Sequence, residues 1–288
     1  MAAASAVFTA PRALAAERSR LAVVSGSNYE RMLKRGLELC GWLEKFLPGS
    51  WVVVKPNASF ANPADWGNNT NPELVADLCR LLKRLGARRI TVADYPLFGG
   101  AEALEANGIA AACRESGAEL VVLSSERQFR NLTVPGGEAL KQVAVCREVL
   151  DADFLINVPV AKAHDAVAAS IGLKNLMGVI WDRTVFHTQL EINQAICDLA
   201  RTVRPQLTIV DMTRVMVTNG PKGPGKVESP GLVALSTDPV AADAYAVSQL
   251  AFNGRRLKPR QLKYLRLAAE AGLGAIESDQ VEMIKEAV

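Results

Sequence analysis

Short apolar runs alternate with longer amphipathic stretches along this chain. Several of the short runs have no polar residue at alternate positions, a pattern typical of strands that are buried on both faces. The runs cover residues 21–24, 51–54, 90–93, 120–123, 154–158, 207–210 and 232–235. Stretches with a helical period cover residues 29–46, 72–85, 102–116, 189–203, 239–250 and 259–271. The alternation predicts an α/β fold, a largely parallel sheet with helices on both faces, arranged as one body or as two lobes with a cleft between them.

Proline follows a capping residue at two of the predicted helix starts, Asn71-Pro72 and Asp238-Pro239. A side-chain cap followed by proline at the first helical position marks a helix N-terminus. Capping explains Asn71 and Asp238 at least as well as a role in binding does. Residues 219–225 contain three glycines and two prolines, which predicts a long exposed loop and a candidate lid.

The composition limits the kinds of partner that this chain can bind. A chain of 288 residues with 49% hydrophobic residues can bury a core without disulfides or metal. The net charge of +3 is too small to attract nucleic acid or an anionic membrane over the whole surface. The basic run 255–266 includes Tyr264 as its only aromatic residue, which is typical of a solvated helix face. No apolar stretch reaches the roughly 18 residues of a membrane span, so a charged partner is expected to bind locally.

Five cysteines are spread along the chain with at least 33 positions between neighbours. They are Cys40, Cys79, Cys113, Cys146 and Cys197. Without a C-x-x-C pair, the spacing argues against zinc or an iron–sulfur cluster, and the odd count argues against a disulfide framework. We expect most of these thiols to be small buried apolar groups.

Residues 1–17 precede the first predicted strand and have two interpretations. Ala13-Leu14-Ala15 before Ala16 and Glu17 resembles a signal-peptidase site, yet no basic segment comes before it. The segment is either the remnant of a signal peptide, which implies export to the periplasm, or an unstructured tail of a cytoplasmic protein. In both cases we expect residues 18–288 to form the α/β domain.

Polar residues follow most of the apolar runs directly. Because ligands of open parallel sheets bind beyond the carboxyl ends of the strands, these residues are candidates for one site. They are Lys55, Asn57, Asp94, Asn157, Asp211 and Asp238, with Asn219 in the glycine- and proline-rich loop. Turn and cap geometry accounts for about half of the set. It does not account for Lys55, since a lysine after a buried strand suits an anion better than a solvated surface.

The densest group of chemically active residues lies between Asn157 and His187. It contains both histidines of the chain and a lysine between two glycines. Its members are Lys162, His164, Lys174, Asn175, Arg183 and His187. Histidine titrates near neutrality and can carry protons or ligate a metal, while a desolvated lysine can act as a base or a covalent attachment point. We therefore expect His164, Lys174 and His187 to be catalytic, with His187 as a candidate metal ligand.

Several motifs occur together and in the order found in a known family. They are Val54-Lys55-Pro56-Asn57, Thr91-Val92-Ala93-Asp94, Ile156 to His164, Gly172 to Gly178, Asn219-Gly220-Pro221 and Asp238 to Asp243. From about Leu21 to Gly274 the chain resembles the domain-of-unknown-function family 362 (DUF362). Many members carry a ferredoxin-type cysteine module or a twin-arginine signal. This chain has no such cysteine module and retains at most the tail of such a signal, which weakens an electron-transfer role.

A looser similarity connects the chain to the nickel-pincer lactate racemase family. In that family a histidine is followed ten residues later by the lysine that bears the cofactor, and then by a metal-ligating histidine. His164, Lys174 and His187 occur in that order, and the first two are ten residues apart. The glycine-rich surroundings and a further histidine pair of the racemases are missing. The similarity implies a divalent metal such as nickel and racemase-like chemistry.

Two classes of function fit these residues. The first is a small-molecule enzyme, of the racemase or epimerase kind, in which Lys55 and Asn57 orient a carboxylate-type anion while histidine and lysine move protons. The second is a non-catalytic accessory that holds an anionic cofactor or partner, or a redox-associated protein that has lost its cluster module. The accessory needs the lysines but no titrating histidine.

Overall fold

The computed structural model describes residues 18–97 and 99–288. The interpretations of residues 1–17 fall outside this part of the chain. An eight-stranded sheet forms the centre of the molecule. Its strands are β1 (Ser19–Ser25), β2 (Trp51–Pro56), β3 (Arg89–Asp94), β4 (Glu119–Val122), β5 (Phe154–Val158), β6 (Leu207–Met212), β7 (Leu232–Ser236) and β8 (Val281–Ala287). All seven runs predicted to be strands lie in this sheet.

The sheet is largely parallel, as predicted. Its strand order is β8-β1-β7-β6-β5-β2-β3-β4. Strand β7 pairs antiparallel with both of its neighbours, β1 and β6, and the other pairs are parallel. Strand β8 was not predicted, because Val281–Ala287 has neither an unbroken apolar run nor a strict alternation; it is the outermost strand of the sheet, and only Val281 in it is buried. The orientation of β7 matters for the site, since its carboxyl end faces the opposite edge from that of the parallel strands.

Helices cover both faces of the sheet and bury one core on each side. Their bounds are α1 (Tyr29–Leu39), α2 (Pro72–Arg84), α3 (Gly100–Ala106), α4 (Ile109–Ser116), α5 (Arg147–Asp151), α6 (Gly172–Asn175), α7 (Thr184–Thr188), α8 (Ile192–Thr202), α9 (Pro239–Gln249) and α10 (Lys263–Glu270). One core contains residues of α1, α2 and α4, and the other contains residues of α6, α8, α9 and α10. Alternate residues of the central strands, such as Val53 and Val54, belong to different cores.

Two predicted helices are shorter in the structure because glycines end them. The helix predicted over residues 29–46 stops at Leu39, and Gly41 then adopts a positive φ of 72°. The helix predicted over residues 102–116 divides into α3 and α4 at Gly108, whose φ is 83°. The period of the apolar residues continues across both breaks, so the pattern alone does not show them.

The described part of the chain contains no helix that is long and apolar enough to cross a membrane. All five cysteines are buried as free thiols. They lie on separate elements, as their wide spacing indicates, and burial raises the pKa of the Cys79 thiol to about 12. A buried thiol with so high a pKa is unreactive at neutral pH, in agreement with the expectation that these residues are small apolar groups.

Candidate active site

The carboxyl ends of β2, β3 and β5 bring three of the predicted site residues together. Lys55 and Asn157 are register partners on β2 and β5, and Asp94 ends the next strand, β3. Lys55 Nζ donates to Asp94 Oδ1 over 2.7 Å. It also donates to the carbonyl of Pro56 and to Asn175 Oδ1. Asp94 accepts the backbone amides of Ala58 and Tyr95 as well, so both charges of this buried pair are compensated inside the protein.

Three asparagines connect this ion pair to the rest of the edge. Asn175 accepts from Asn57 through Oδ1 and donates to Asn157 Oδ1, with distances of 2.8 Å in both bonds. Asn157 in turn donates to the carbonyl of Gly172. Because each side chain uses both its donor and its acceptor, the positions of Asn57, Asn157 and Asn175 are mutually fixed.

A short hairpin places Lys162 and His164 on the same side. Pro159 follows β5, and the chain then forms the ribbon Lys162–His164 paired with Ala168–Ser170. Since side chains alternate along a strand, residues 162 and 164 share one face while Ala163 packs into the core. Lys162 is 2% exposed and donates to Asn57 Oδ1 and to the carbonyl of Asn68. Burial, with Lys174 nearby, lowers the pKa of Lys162 to about 7.

Helix α6 carries Lys174 and is fixed at its start by a residue that the sequence analysis did not select. Asp243 on α9 accepts the backbone amides of Gly172 and Leu173 over 2.8 and 2.9 Å. Its pKa is raised to about 7 by burial, against the effect of these two hydrogen bonds. Asp243 belongs to the Asp238–Asp243 motif, which was the signal available in the sequence. It holds the backbone that presents Lys174 and has no place in the cavity itself.

Lys174 has no oxygen acceptor among the described residues. The side chain is 8% exposed, and its Nζ contacts Met177 Sδ at 3.4 Å, one helical turn away. Burial and the nearby Arg183 lower the pKa of Lys174 to about 8. A buried ammonium without an oxygen partner is costly for the folded protein unless a ligand supplies one.

Arg183 and His187 lie one helical turn apart at α7. The guanidinium of Arg183 stacks 4.4 Å from the centre of the Tyr95 ring and donates to the carbonyl of Pro96. Burial lowers the pKa of Arg183, and no carboxylate of the described residues pairs with it. His187 is exposed, and partial desolvation and Lys174 lower its pKa.

The two histidines face each other with nearly parallel rings. Their ring centres are 6.4 Å apart, and the ring planes differ by 6°. Burial, Lys174 and Lys162 lower the pKa of His164 to about 2, so this imidazole is neutral at physiological pH. The backbone amide of Ala166 donates to His164 Nδ1 over 3.1 Å, which favours the tautomer with the proton on Nε2. That tautomer gives Nε2 an N–H donor.

These residues surround one cavity of about 400 Å³, which we call the Lys174 cavity. Its polar lining includes Asn57, Lys162, His164, Asp165, Ser170, Lys174, Asn175, Arg183, His187 and Lys222. Phe60, Leu97 and Met177 contribute apolar surface. Sequence reasoning missed Asp165, Ser170 and Lys222 because no strand end or motif distinguishes them.

Six of the predicted site residues do not line this cavity. Lys55, Asp94 and Asn157 belong to the hydrogen-bonded network that holds Asn175 at its wall. Asp211, the penultimate residue of β6, accepts the amides of Asn71 and Thr213, so it closes a turn. Asp238 lies at the opposite edge of the sheet because β7 runs antiparallel, and it caps α9 through the amides of Val240 and Ala241. The prediction that Asp238 shares the edge with Lys55 is therefore wrong.

Asn219 also has a local role. It is exposed with a φ of 51°, and its side chain donates to the carbonyl of Pro224 within the glycine- and proline-rich loop. The same loop places Pro221 and Lys222 against the cavity. The loop predicted from the breakers thus contributes to the site through residues other than Asn219.

The donor atoms of the cavity do not form a site for a bare divalent cation. No three histidine, cysteine, aspartate or glutamate side chains come together in residues 18–97 and 99–288. The cavity instead gathers lysine and arginine side chains, whose charge repels a metal ion. His187 lines the cavity with His164, 6.4 Å away between ring centres, and with the exposed Asp165, and these three side chains do not come together as a metal-binding group.

Comparison with known proteins agrees with this geometry. The model of DUF362, a domain of unknown function, matches residues 52–248, which is more than half of the chain. The chain belongs to the DUF362 family. The matched span includes every residue of the Lys174 cavity named above. The resemblance found in the sequence motifs is thereby confirmed.

Two further proteins are similar to this DUF362 member. A thylakoid-associated protein of Synechocystis sp. is 27% identical over 220 residues, which are 73% of this chain and 66% of that protein. The lactate racemase apoprotein of Thermoanaerobacterium thermosaccharolyticum shares the fold, with a TM-score of 0.52 and 15% identity over 82% of this chain and 59% of the racemase. The chain thus spans less than two thirds of either relative.

Proposed function

We propose that this DUF362 protein is a small-molecule enzyme that binds a carboxylate-type anion in the Lys174 cavity and moves a proton on it. The observation that carries the proposal is the environment of Lys174, an ammonium that is 8% exposed and has no oxygen acceptor among the described residues. Two other cations, Lys162 and Arg183, line the same cavity without a carboxylate partner.

Anion binding follows from this imbalance of charge. Groups that must be desolvated in the free protein gain hydrogen bonds and opposite charge when a carboxylate enters. Arg183 suits the task because its planar guanidinium can bind a carboxylate through two parallel hydrogen bonds. Asn57 and Asn175 contribute amides at the cavity wall, each held in place by the asparagine network.

Proton transfer is assigned to Lys174. A general base works best when its pKa lies near the operating pH, and the pKa of Lys174 is lowered to about 8. The amine form can then accept a proton from the carbon next to the carboxylate, while the charged Arg183 stabilises the negative charge that develops on the substrate. Lys162, with a pKa of about 7, is a candidate for the second proton carrier of a racemase or epimerase.

The histidines take supporting roles in this proposal. His164, with a pKa of about 2, is too weak a base to remove a proton from carbon in the unliganded cavity. As a neutral imidazole next to Lys174 and Lys162, it can donate a hydrogen bond from Nε2 to an oxygen of the substrate. His187, at the exposed edge, is a candidate to exchange protons with solvent.

A metal such as nickel fits this cavity only if an anionic organic group carries it. The cations repel a bare ion, whereas a buried amine with a lowered pKa is a suitable attachment point for an organic cofactor, and His187 is the nearby imidazole. Such a group would supply redox or Lewis-acid chemistry at the substrate. Intact mass of the purified protein and its nickel content test the idea directly, since an adduct on Lys174 shifts the mass.

The racemase or epimerase class is supported by the fold shared with the lactate racemase apoprotein, together with the base assigned above. The test is exchange of the α-hydrogen of D- and L-2-hydroxy acids in deuterated water, followed by proton NMR. Wild-type protein should exchange the substrate hydrogen, and Lys174→Met should lose the activity by at least a hundredfold. Lys34→Met, on the exposed side of α1, is the control and should retain it.

A binding accessory is the second candidate, and the low pKa of His164 favours it, because a permanently neutral imidazole binds without titrating. The two functions differ in one result. Tight anion binding without α-hydrogen exchange, for every hydroxy acid and with any cofactor restored, would support the accessory and exclude the enzyme.

A further inference from the structure

We infer that the Lys174 cavity takes a small molecule with two separate anionic groups, a dicarboxylate or a carboxylate with a phosphate. This inference rests on the proposed anion-binding function and specifies its ligand class. A single carboxylate, as in a simple hydroxy acid, leaves part of the cavity's positive charge uncompensated.

The charge inventory of the cavity is the first step. Lys162, Lys174, Arg183 and the exposed Lys222 line it, and Asp165 is the only carboxylate among the described lining residues. Asp165 is exposed and sits beside His164, so solvent screens most of its charge. The three less exposed cations, Lys162, Lys174 and Arg183, form no ion pair with a carboxylate of the described residues, so the inner part of the lining is cationic.

Two of these cations are held by different residues of the cavity wall. Lys162 donates to Asn57 and to the carbonyl of Asn68 and lies 5.0 Å from the centre of the Phe60 ring. Arg183 donates to the carbonyl of Pro96 and stacks 4.4 Å from the centre of the Tyr95 ring. Lys174, on α6, lines the same cavity.

Both Lys162 and Arg183 keep unused hydrogen-bond donors. Lys162 uses two of its three N–H groups, on Asn57 and on the carbonyl of Asn68. Arg183 has five N–H groups, and the carbonyl of Pro96 takes one of them. A carboxylate group that pairs with Lys174 and one of these two cations leaves the other without an anion.

The size of the cavity agrees with a ligand that reaches both Lys162 and Arg183. A volume of about 400 Å³ falls in the range of pockets that enclose whole small molecules. Phe60, Leu97 and Met177 provide apolar surface for the carbon chain between two charged groups. A ligand bound to only one of these cations leaves this surface in contact with water.

The test compares ligands of equal size that differ in one charge, using the wild-type protein and isothermal titration calorimetry. Succinate carries two carboxylates, and succinamate replaces one of them by a neutral amide. We expect succinate to bind at least tenfold more tightly. Equal affinity of the two would overturn the inference. A third ligand, 3-phosphonopropionate, distinguishes a phosphate from a carboxylate as the second group by its affinity relative to succinate.

A variant tests whether Arg183 binds the second group. Arg183→Gln should reduce the preference for succinate over succinamate to less than threefold, and the exposed Arg31→Gln should preserve it. An unchanged preference in Arg183→Gln would contradict the role of Arg183. These measurements use compounds without a reactive α-hydroxyl, so they are independent of catalysis. Failure of both ligands to bind would reject the proposed anion site, whereas binding without preference would reject the two-anion inference alone.

Discussion

Buried lysines of two kinds lie near each other in the folded protein, and they differ in whether a carboxylate pairs with them. Lys55 is paired with Asp94 and is 1% exposed, and its pKa is lowered mainly by burial and raised back by that partner. Lys162 and Lys174 are buried as well, with exposed fractions of 2% and 8%, but no carboxylate of the described residues pairs with them. The comparison separates a charge that the fold compensates from charges that a ligand must compensate. Lys55 holds Asp94 and Asn175 in place, and Lys162 and Lys174 line the cavity in which we propose that the anion binds.

The largest effect is expected from breaking the compensated pair. Asp94→Asn keeps the shape of the side chain but leaves Lys55 as a buried cation without a counterion, which should lower the free energy of unfolding by about 3–5 kcal/mol. Urea unfolding measures the change. Glu30→Gln, which breaks the exposed Arg84–Glu30 pair of similar length, is the matched control and should cost less than about 1 kcal/mol. Equal losses in the two variants would contradict the distinction.

The next largest effect is expected at Gly178, which packs against the Lys55–Asp94 ion pair. A Cβ at this position would collide with Asp94 Oδ1 and Lys55 Nζ. Gly178→Ala should therefore lower the free energy of unfolding by about 1–3 kcal/mol and reduce anion binding in the adjoining cavity. The wild-type protein is the reference. A Gly178→Ala protein as stable as wild type would show that the segment relaxes freely.

Removing a lysine that has no counterion should raise the free energy of unfolding, whereas Asp94→Asn and Gly178→Ala should lower it. Lys174→Met deletes a buried charge that makes no hydrogen bond to oxygen, so the ligand-free protein should gain about 1 kcal/mol in urea unfolding at neutral pH. The same variant should lose anion binding by at least tenfold in calorimetry. Destabilisation by more than about 1 kcal/mol would mean that the ammonium supports the fold.

The last stability prediction is a dependence of the free energy of unfolding on pH. The pKa of Lys162 is about 7 and that of Lys174 about 8 in the folded protein, against 10.5 for an ordinary lysine. Between about pH 7 and about pH 9 the unfolded chain binds more protons, so the free energy of unfolding should rise with pH by up to about 1.4 kcal/mol per pH unit for each lysine. Lys174→Met should flatten the slope above about pH 8, since it removes one of these groups.

Anion binding should show the reverse trend over the same range. Affinity for succinate should fall as pH rises through the pKa values of Lys162 and Lys174, because both lysines lose the charge that attracts the ligand. Calorimetry at a series of pH values checks this. An affinity that rises with pH would be incompatible with binding by ammonium groups.

The sequence by itself determined seven of the eight strands of the central sheet and the approximate positions of most helices. Apolar runs buried on both faces, such as residues 51–54 and 154–158, place Lys55 and Asn157 at strand ends whatever the rest of the chain does. The motif Gly172–Gly178 marked Lys174 and Asn175 in the same way. These features are local, because burial and chain direction along one strand depend on neighbours in sequence.

Tertiary structure alone decided which of the selected residues meet. Asp238 and Asp94 both follow apolar runs, but β7 pairs antiparallel with β1 and β6, which places Asp238 at the far edge. Asp243 anchors Lys174 from 69 positions further along the chain, as its hydrogen bonds to Gly172 and Leu173 show. The compensation of a buried charge is likewise a property of the assembled fold, because the counterion of Lys55 is contributed by a separate strand while Lys174 receives none.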